Sequence, residues 1–215
     1  VNNQTIATQD NTANTKKKIV KTRKQNNQSL VIQDNTANPA PLGLMGFGMT
    51  TVLLNIHNVD AMPLNSMILA MGLFYGGLGQ VIVGILEWKK NNTFGMVAFG
   101  SYGLFWLTLV ALVVMPKLGL GEATSKQGMG WYLVMWGIFT AVLMVASFKH
   151  NKALITVFVL LTALFFLLAA GDFTGNKSIT IFAGWEGILT GFSAIYLGAA
   201  QIINEAYGKT VLPID

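Results

Sequence analysis

Beyond about residue 35 the chain alternates long apolar stretches with short polar connections. Six stretches stand out, at 39–59, 63–86, 94–115, 128–148, 153–171 and 179–203. Each comes close to the roughly 20 residues that an α-helix needs to cross a hydrocarbon core of about 30 Å. A helix of a water-soluble bundle carries a polar stripe at helical spacing, whereas these stretches are apolar nearly all round. The pattern predicts an all-α integral membrane protein with six transmembrane helices per protomer, set in a lipid bilayer. Residues 1–37 are different: rich in Asn, Gln, Thr and Lys, without sustained apolar period. Such a segment buries too little surface to offset its ordering entropy, so a disordered or loosely ordered N-terminal arm is expected ahead of a six-helix domain at 38–215. The arm has no apolar signal-peptide core, and QDNTAN occurs at 9–14 and again at 33–38.

Composition sharpens this picture. Hydrophobic residues make up 53% of the chain and charged residues only 11%, against about 25% charged in soluble domains. The net charge of +5 says little by itself, since nucleic-acid binding needs a clustered, accessible patch, and no nucleic-acid partner is expected. There is no cysteine, hence no disulfide, Cys-based zinc site or thiol nucleophile, and the only imidazoles are His57 and His150 at opposite membrane faces. Neither HExxH, GxSxG nor a phosphate-binding GxxxxGK[ST] occurs, which points away from an enzyme or an ATP-driven pump. No cofactor or metal is expected.

The lysines and arginine orient the helices. Six in the arm, with Lys89, Lys90, Lys149, Lys152 and Lys209, fall on one side, and Lys117, Lys126 and Lys177 on the other, 11 against 3, or 5 against 3 without the arm. The positive side is the cytoplasmic one, which predicts a multi-pass plasma-membrane protein (bacterial inner or archaeal cell membrane) with both termini in the cytoplasm. Trp88, Trp131 and Trp185, near segment ends, fit interfacial belts.

Polar residues inside the spans are the candidate chemistry. Asn38-Pro39 opens the first span as an N-cap followed by Pro at the first helical position, and an exposed helix start can also receive an anion. Phe47, Thr51, Asn55 and Asn58 share one helical face, with Thr50 beside it. In lipid that face turns inward, either to bond other helices or to line a water-filled path. In the second span Gly72 and Gly76 suit close helix packing, while Gln80 among glycines fits packing and a narrow polar passage equally. Glu87 reads as an interfacial acid, and Asp60 and Asp172 as solvated loop charges. Glu186 is a carboxylate inside a span, and such a group is by default a functional candidate, here for proton coupling or selectivity, although its position near a segment end also suits an interfacial acid.

Taken together, NPAPLGLMGFGMTTVLLNIHN at 38–58, FYGGLGQ at 74–80, NTFGMVAFGSYGLFWLTL at 92–109 and AIYLGAAQIINEAYGKTVLPI at 194–214 resemble the acetate uptake transporter family, which includes bacterial succinate-acetate permeases. The resemblance implies a six-helix protomer with its own pore, a homo-oligomer (a hexameric ring) and acetate or another small carboxylate such as succinate as substrate. It implies an apolar constriction of Phe47, Tyr102 and Leu161, with Asn38, Thr50, Thr51, Asn55, Tyr75 and Gln80 in or near the pathway. Neutral N–H and O–H donors are then expected to replace the carboxylate's hydration without the deep trapping of a buried Lys or Arg. Anion-channel flux and proton symport both fit, and so does a membrane acetate sensor or assembly protein that uses the same fold without net transport.

Overall fold

The computed structural model describes residues 36–215. The predicted arm, its six basic residues and the first QDNTAN copy lie outside the described residues. Within them the fold is helical, in six long elements: α1 (Ala40–Asn58), α2 (Ser66–Lys89), α3 (Thr93–Val114), α4 (Lys126–Ser147), α5 (Lys152–Thr174) and α6 (Lys177–Tyr207). Five of them, α2 to α6, are long and apolar enough by themselves to cross a membrane. The sixth, α1, is diluted by Thr50, Thr51, Asn55, His57 and Asn58, and it is packed between α2 and α6. The apolar pattern thus located all six helices, and the structure extends α6 to 31 residues.

Side-chain caps set most of the helix starts. Asn92, Ser125, Asn151 and Asn176 each accept a backbone N–H from the first turn of α3, α4, α5 and α6, which satisfies donors that a helix start leaves free. At α1 the expected arrangement shifts by one residue: Pro39, not Asn38, holds the cap position, already with helical angles (φ −81°, ψ −20°). Asn38 still does the bonding, its Oδ1 accepting from Ala40 N at 3.1 Å. Gly175 and Gly208, at φ +63° and +62°, end α5 and α6 in the left-handed conformation that an L side chain resists.

The helices neighbour one another in the order α3, α2, α1, α6, α5, α4. The tightest seam joins α1 to α6. A Cβ on Gly48 would lie 2.6 Å from Gly191 O, and one on Gly191 2.8 Å from Gly48 O. Bare backbone on both helices lets them touch, as small-residue motifs do in lipid. The last seam, α3 against α4, is wider and is filled by rings. Tyr102 packs against Trp136 and Phe139, and Phe105 stacks on Tyr132 with centroids 5.8 Å apart. Large apolar side chains such as Met135, Val142, Phe182 and Leu189 cover the outside of the bundle, which water would disfavour and lipid tails accept. Trp88, Trp131 and Trp185 also face outward.

One departure from regularity was not expected. The middle of α2, Met71–Gly79, winds as a π-helix, a wider turn that is uncommon over nine residues. The glycine-rich MGLFYGGLG sequence tolerates it, and Gln80 Nε2 donates to Gly76 O at 2.6 Å where the π-turns end.

Candidate functional site

Among the described residues, one cavity lies toward each end of the bundle. The first, about 260 Å³, is lined by the start of α1 (Asn38, Leu44, Phe47), the end of α2 (Gln80, Glu87), the first half of α3 (Phe94, Ala98, Tyr102), the loop before α5 with its first half (His150, Asn151, Phe158, Leu161), and Gln201 of α6. The second, about 290 Å³, uses the opposite halves: Leu54, His57 and Asn58 of α1, Ile68 and Gly72 of α2, Phe105, Trp106 and Leu109 of α3, Leu133 of α4, Leu168 and Asp172 of α5, and Thr180 of α6. On α1 the lining passes from Phe47 to Leu54, on α3 from Tyr102 to Phe105, and on α5 from Leu161 to Leu168. The cavities therefore approach each other end to end.

Where they approach, the bundle is apolar. Phe47, Tyr102 and Leu161 are buried together at the inner end of the first cavity, with Phe105 and Phe165 behind them. Phe47 and Tyr102 have ring centroids 5.7 Å apart, and Phe105 meets Phe165 edge-on at 5.2 Å. Leu161, drawn from a helix without a distinctive motif, joins the other two in the first cavity's lining.

Polar groups are unevenly placed around this neck. At the mouth of the first cavity Asn38 Nδ2 donates to Gln201 Oε1 at 3.4 Å. Asn92 bridges two helices there: its Oδ1 caps Gly95 N at 3.0 Å and its Nδ2 donates to Glu87 Oε2 at 2.7 Å. Glu87 is 3% exposed and its Oε1 has no partner. Glu87 thus stands near the helix end, as expected of an interfacial acid, but is turned into the protein. The loop joining α2 to α3 is three residues long and folds Glu87 over Gly95, where a Cβ would lie 2.9 Å from its Cδ. Asp172 departs from the expected solvated loop charge: it belongs to the last turn of α5 and lines the second cavity. Each cavity thus holds one carboxylate and one imidazole, Glu87 with His150 and Asp172 with His57, and neither is lined by Lys or Arg. Asp60, in the loop after α1, is paired with Lys177, whose ammonium holds its carboxyl below the usual carboxylate range.

Of the residues singled out from the sequence, Asn38, Phe47, Gln80, Tyr102 and Leu161 line the first cavity. Thr50, Thr51, Asn55, Tyr75 and Glu186 line neither of the two. Only part of the polar face of α1 bonds another helix: Thr50 Oγ1 donates to Met71 O of the π-segment, while Asn55 Nδ2 donates to Thr51 O and Asn58 Nδ2 to Asn55 Oδ1 within α1, and Asn58 also lines the second cavity. Tyr75 lies against α1 at Gly46, where a Cβ would come 2.7 Å from Tyr75 O. Glu186 accepts from Thr190 at 3.0 Å one helical turn away. His150, Asn92 and Gln201 complete the first cavity's mouth. Nothing local to 87–92 signalled that Glu87 would be buried.

Comparison with known proteins points the same way. The sequence profile described as the GPR1/FUN34/yaaH family matches residues 22–213. The chain is 57% identical over 176 residues, 82% of its own length and 94% of the relative's, to the protein named succinate-acetate/proton symporter SatP of Escherichia coli (strain K12). It is 50% identical over 182 residues, 81% and 89% of the two chains, to an uncharacterized protein of Methanothermobacter thermautotrophicus. Among solved structures, that described as the bacterial acetate channel SatP superposes with a TM-score of 0.83 at 56% identity, covering 84% of this chain and all of that one.

Proposed function

Because the chain belongs to the GPR1/FUN34/yaaH family, we propose that it moves acetate, and other small carboxylates such as succinate, across a membrane through a pore inside each protomer. The path runs from the first cavity past Phe47, Tyr102 and Leu161 into the second. The observation that carries this reading is that the two cavities use opposite halves of the same helices and approach each other at the apolar cluster of Phe47, Tyr102 and Leu161, with no basic side chain lining either one. An anion met by a buried ammonium or guanidinium would be held; a path lined by dipoles and rings lets it leave again. The neck keeps water out when empty and limits the bulk of the apolar tail that follows the carboxyl group.

In this reading Asn38 and Gln80 meet the substrate, while Thr50, Thr51, Asn55 and Tyr75 hold α1 and the π-segment in place around it. Glu186, outside both cavities, takes no part in the path. The chain is a carrier and not a catalyst. It sits in the cytoplasmic membrane of a bacterium or archaeon with both termini in the cytoplasm, as the lysine distribution favours, and assembles as a ring of six protomers. Relatives named as a symporter and as a channel favour transport over a sensor built on the same fold.

The test is uptake of labelled acetate by vesicles containing the purified protein, with protein-free vesicles as background. Faster entry that excess succinate suppresses is expected. Acetate binding without accelerated entry would end the transport reading and leave the sensor.

A further inference from the structure

The direction of each hydrogen bond near the neck is fixed by a backbone carbonyl, which can only accept. Thr140 Oγ1 gives its proton to Trp136 O at 2.7 Å. Thr140 must therefore accept from Tyr102, whose hydroxyl lies 2.9 Å away, and the Tyr102 proton is committed. What Tyr102 retains is an acceptor. Gln80 is in the same position: its Nε2 is tied to Gly76 O at 2.6 Å, and its Oε1 is buried without a partner. The inner end of the first cavity thus offers oxygen lone pairs where sequence reasoning expected N–H and O–H donors. The donors sit at the mouth, on Asn38, Asn92 and Gln201.

Lone pairs repel a carboxylate and welcome a carboxylic acid, whose O–H they can accept. Between mouth and neck stands Glu87, two helical turns from Gln80 on the same face, about 10 Å along the axis. Its Oε2 is held by Asn92 and its Oε1 is bare. Resting on the transport reading above, we infer that the substrate crosses the neck as its neutral acid, having taken a proton from Glu87. The O–H bond on Glu87 Oε1 breaks as the O–H bond of the acid forms. Glu87 is left as a carboxylate that regains a proton from water at the mouth, and the acid releases its proton to water in the second cavity. The step needs no other reactant. Charged and titratable groups around Glu87 are Lys90 beyond its own helix, which acts on it electrostatically, with His150 before α5 and Tyr102 of α3 lining the same cavity. Tyr102's proton is committed to Thr140. His150, ring to ring with Phe94 at 4.7 Å, is the competing donor.

The test compares Glu87→Gln, which keeps the size and the Asn92 bond but cannot give up a proton, with Glu87→Asp, which keeps the carboxyl group. Labelled-acetate entry into vesicles is measured across pH with protein-free background subtracted. Loss of a positioned proton donor is expected to slow E87Q by about tenfold or more near neutral pH. The deficit should shrink to about twofold or less near pH 5, where much of the substrate arrives already protonated. E87D should recover the wild-type profile, and His150→Gln, at a residue that lines the same cavity, should keep the shape of the wild-type pH dependence whatever it does to the rate. Slowing of E87Q by the same factor at every pH, or an E87Q profile matching wild type, overturns the inference. So does transfer of the pH dependence to H150Q. Infrared difference spectra on acidification supply a readout independent of flux: subtracting the E87Q difference spectrum from that of wild type should leave a protonated-carboxyl component, and its absence from that double difference overturns the assignment. Wild-type vesicles that move no acetate would instead defeat the transport reading, a separate result.

Discussion

The side chain of Asn55 lies flat against the bare backbone of Gly187: a Cβ added there would come within 2.3 Å of Asn55 Cγ. Asn55 is 1% exposed and its Nδ2 is already bonded to Thr51 O at 2.9 Å, so it has little room to turn away. Alanine normally favours a helix over glycine by about 1 kcal/mol, yet at this seam overpacking wins. Gly187→Ala is expected to lower stability by about 1–3 kcal/mol, read as an earlier thermal transition of the purified protein. A transition at or above the wild-type temperature would mean that α1 and α6 separate easily.

Phe47 fills the neck from α1, 6% exposed and facing Tyr102. Phe47→Ala removes a ring, at a cost of about 3 kcal/mol if the site cannot collapse, and leaves a wider opening. Faster acetate entry and admission of bulkier carboxylates are expected in vesicle uptake. Unchanged size selection would take Phe47 out of the neck.

Thr140→Val keeps the shape of a fully buried side chain and removes the acceptor that holds the Tyr102 proton. The freed hydroxyl can turn toward the cavity and donate to an anion. If the neutral acid is what crosses, acetate current across a planar bilayer should then appear that is absent in wild type, at a stability cost of about 1 kcal/mol for the lost hydrogen bonds. A current no larger than wild type would mean that Tyr102 does not set the charge state of what passes.

At Asn38 two roles can be separated. Its Oδ1 bonds Ala40 N, and its Nδ2 reaches Gln201 across the mouth of the cavity. Asn38→Ala loses both, with about 1 kcal/mol of helix capping. Asn38→Asp keeps the capping bond and replaces the donor with a negative charge. Stability should hold in N38D while acetate entry falls as in N38A; full uptake by N38D would reduce Asn38 to a cap.

The Asp60–Lys177 pair ties the loop after α1 to the first residue of α6. Lys177 holds the Asp60 carboxyl below its ordinary range, so any stabilisation is present above that range and fades as pH falls through the lowered value. Both partners are well exposed, at 69% and 65%, and exposed pairs contribute little. Lys177→Ala should shift the thermal transition slightly at neutral pH, with the difference vanishing in acid. A large shift at neutral pH would assign Lys177 a further role.

How far the sequence reaches differs by feature. Six helices were legible because lipid imposes one requirement on every residue of a span, and an apolar run near 20 residues meets it in few other ways. Phe47 and Tyr102, which the structure brings together in the first cavity's lining, were legible as candidates because they stand in distinctive motifs, LMGFG and GSYG. The α1 face of Thr51, Asn55 and Asn58 was correctly read as inward. Helical spacing could not say which neighbour it would meet, and at Asn55 it meets α6, at Gly187.

By itself the sequence determined the solvent, the number of helices and the rings available for a neck, since these follow from side-chain chemistry summed along single segments. Only the tertiary structure decided that Glu87 is buried, that Gln80 and Tyr102 present acceptors, and that the cavities approach each other. The bonds of Gln80 to Gly76 O and of Glu87 to Asn92 are local, but others join partners far apart in the chain: Thr140 lies 38 residues from Tyr102, and Gln201 163 residues from Asn38. A hydrogen bond's direction is set by whatever lies at its far end, and at the neck that end is a carbonyl on another helix, Trp136 O of α4.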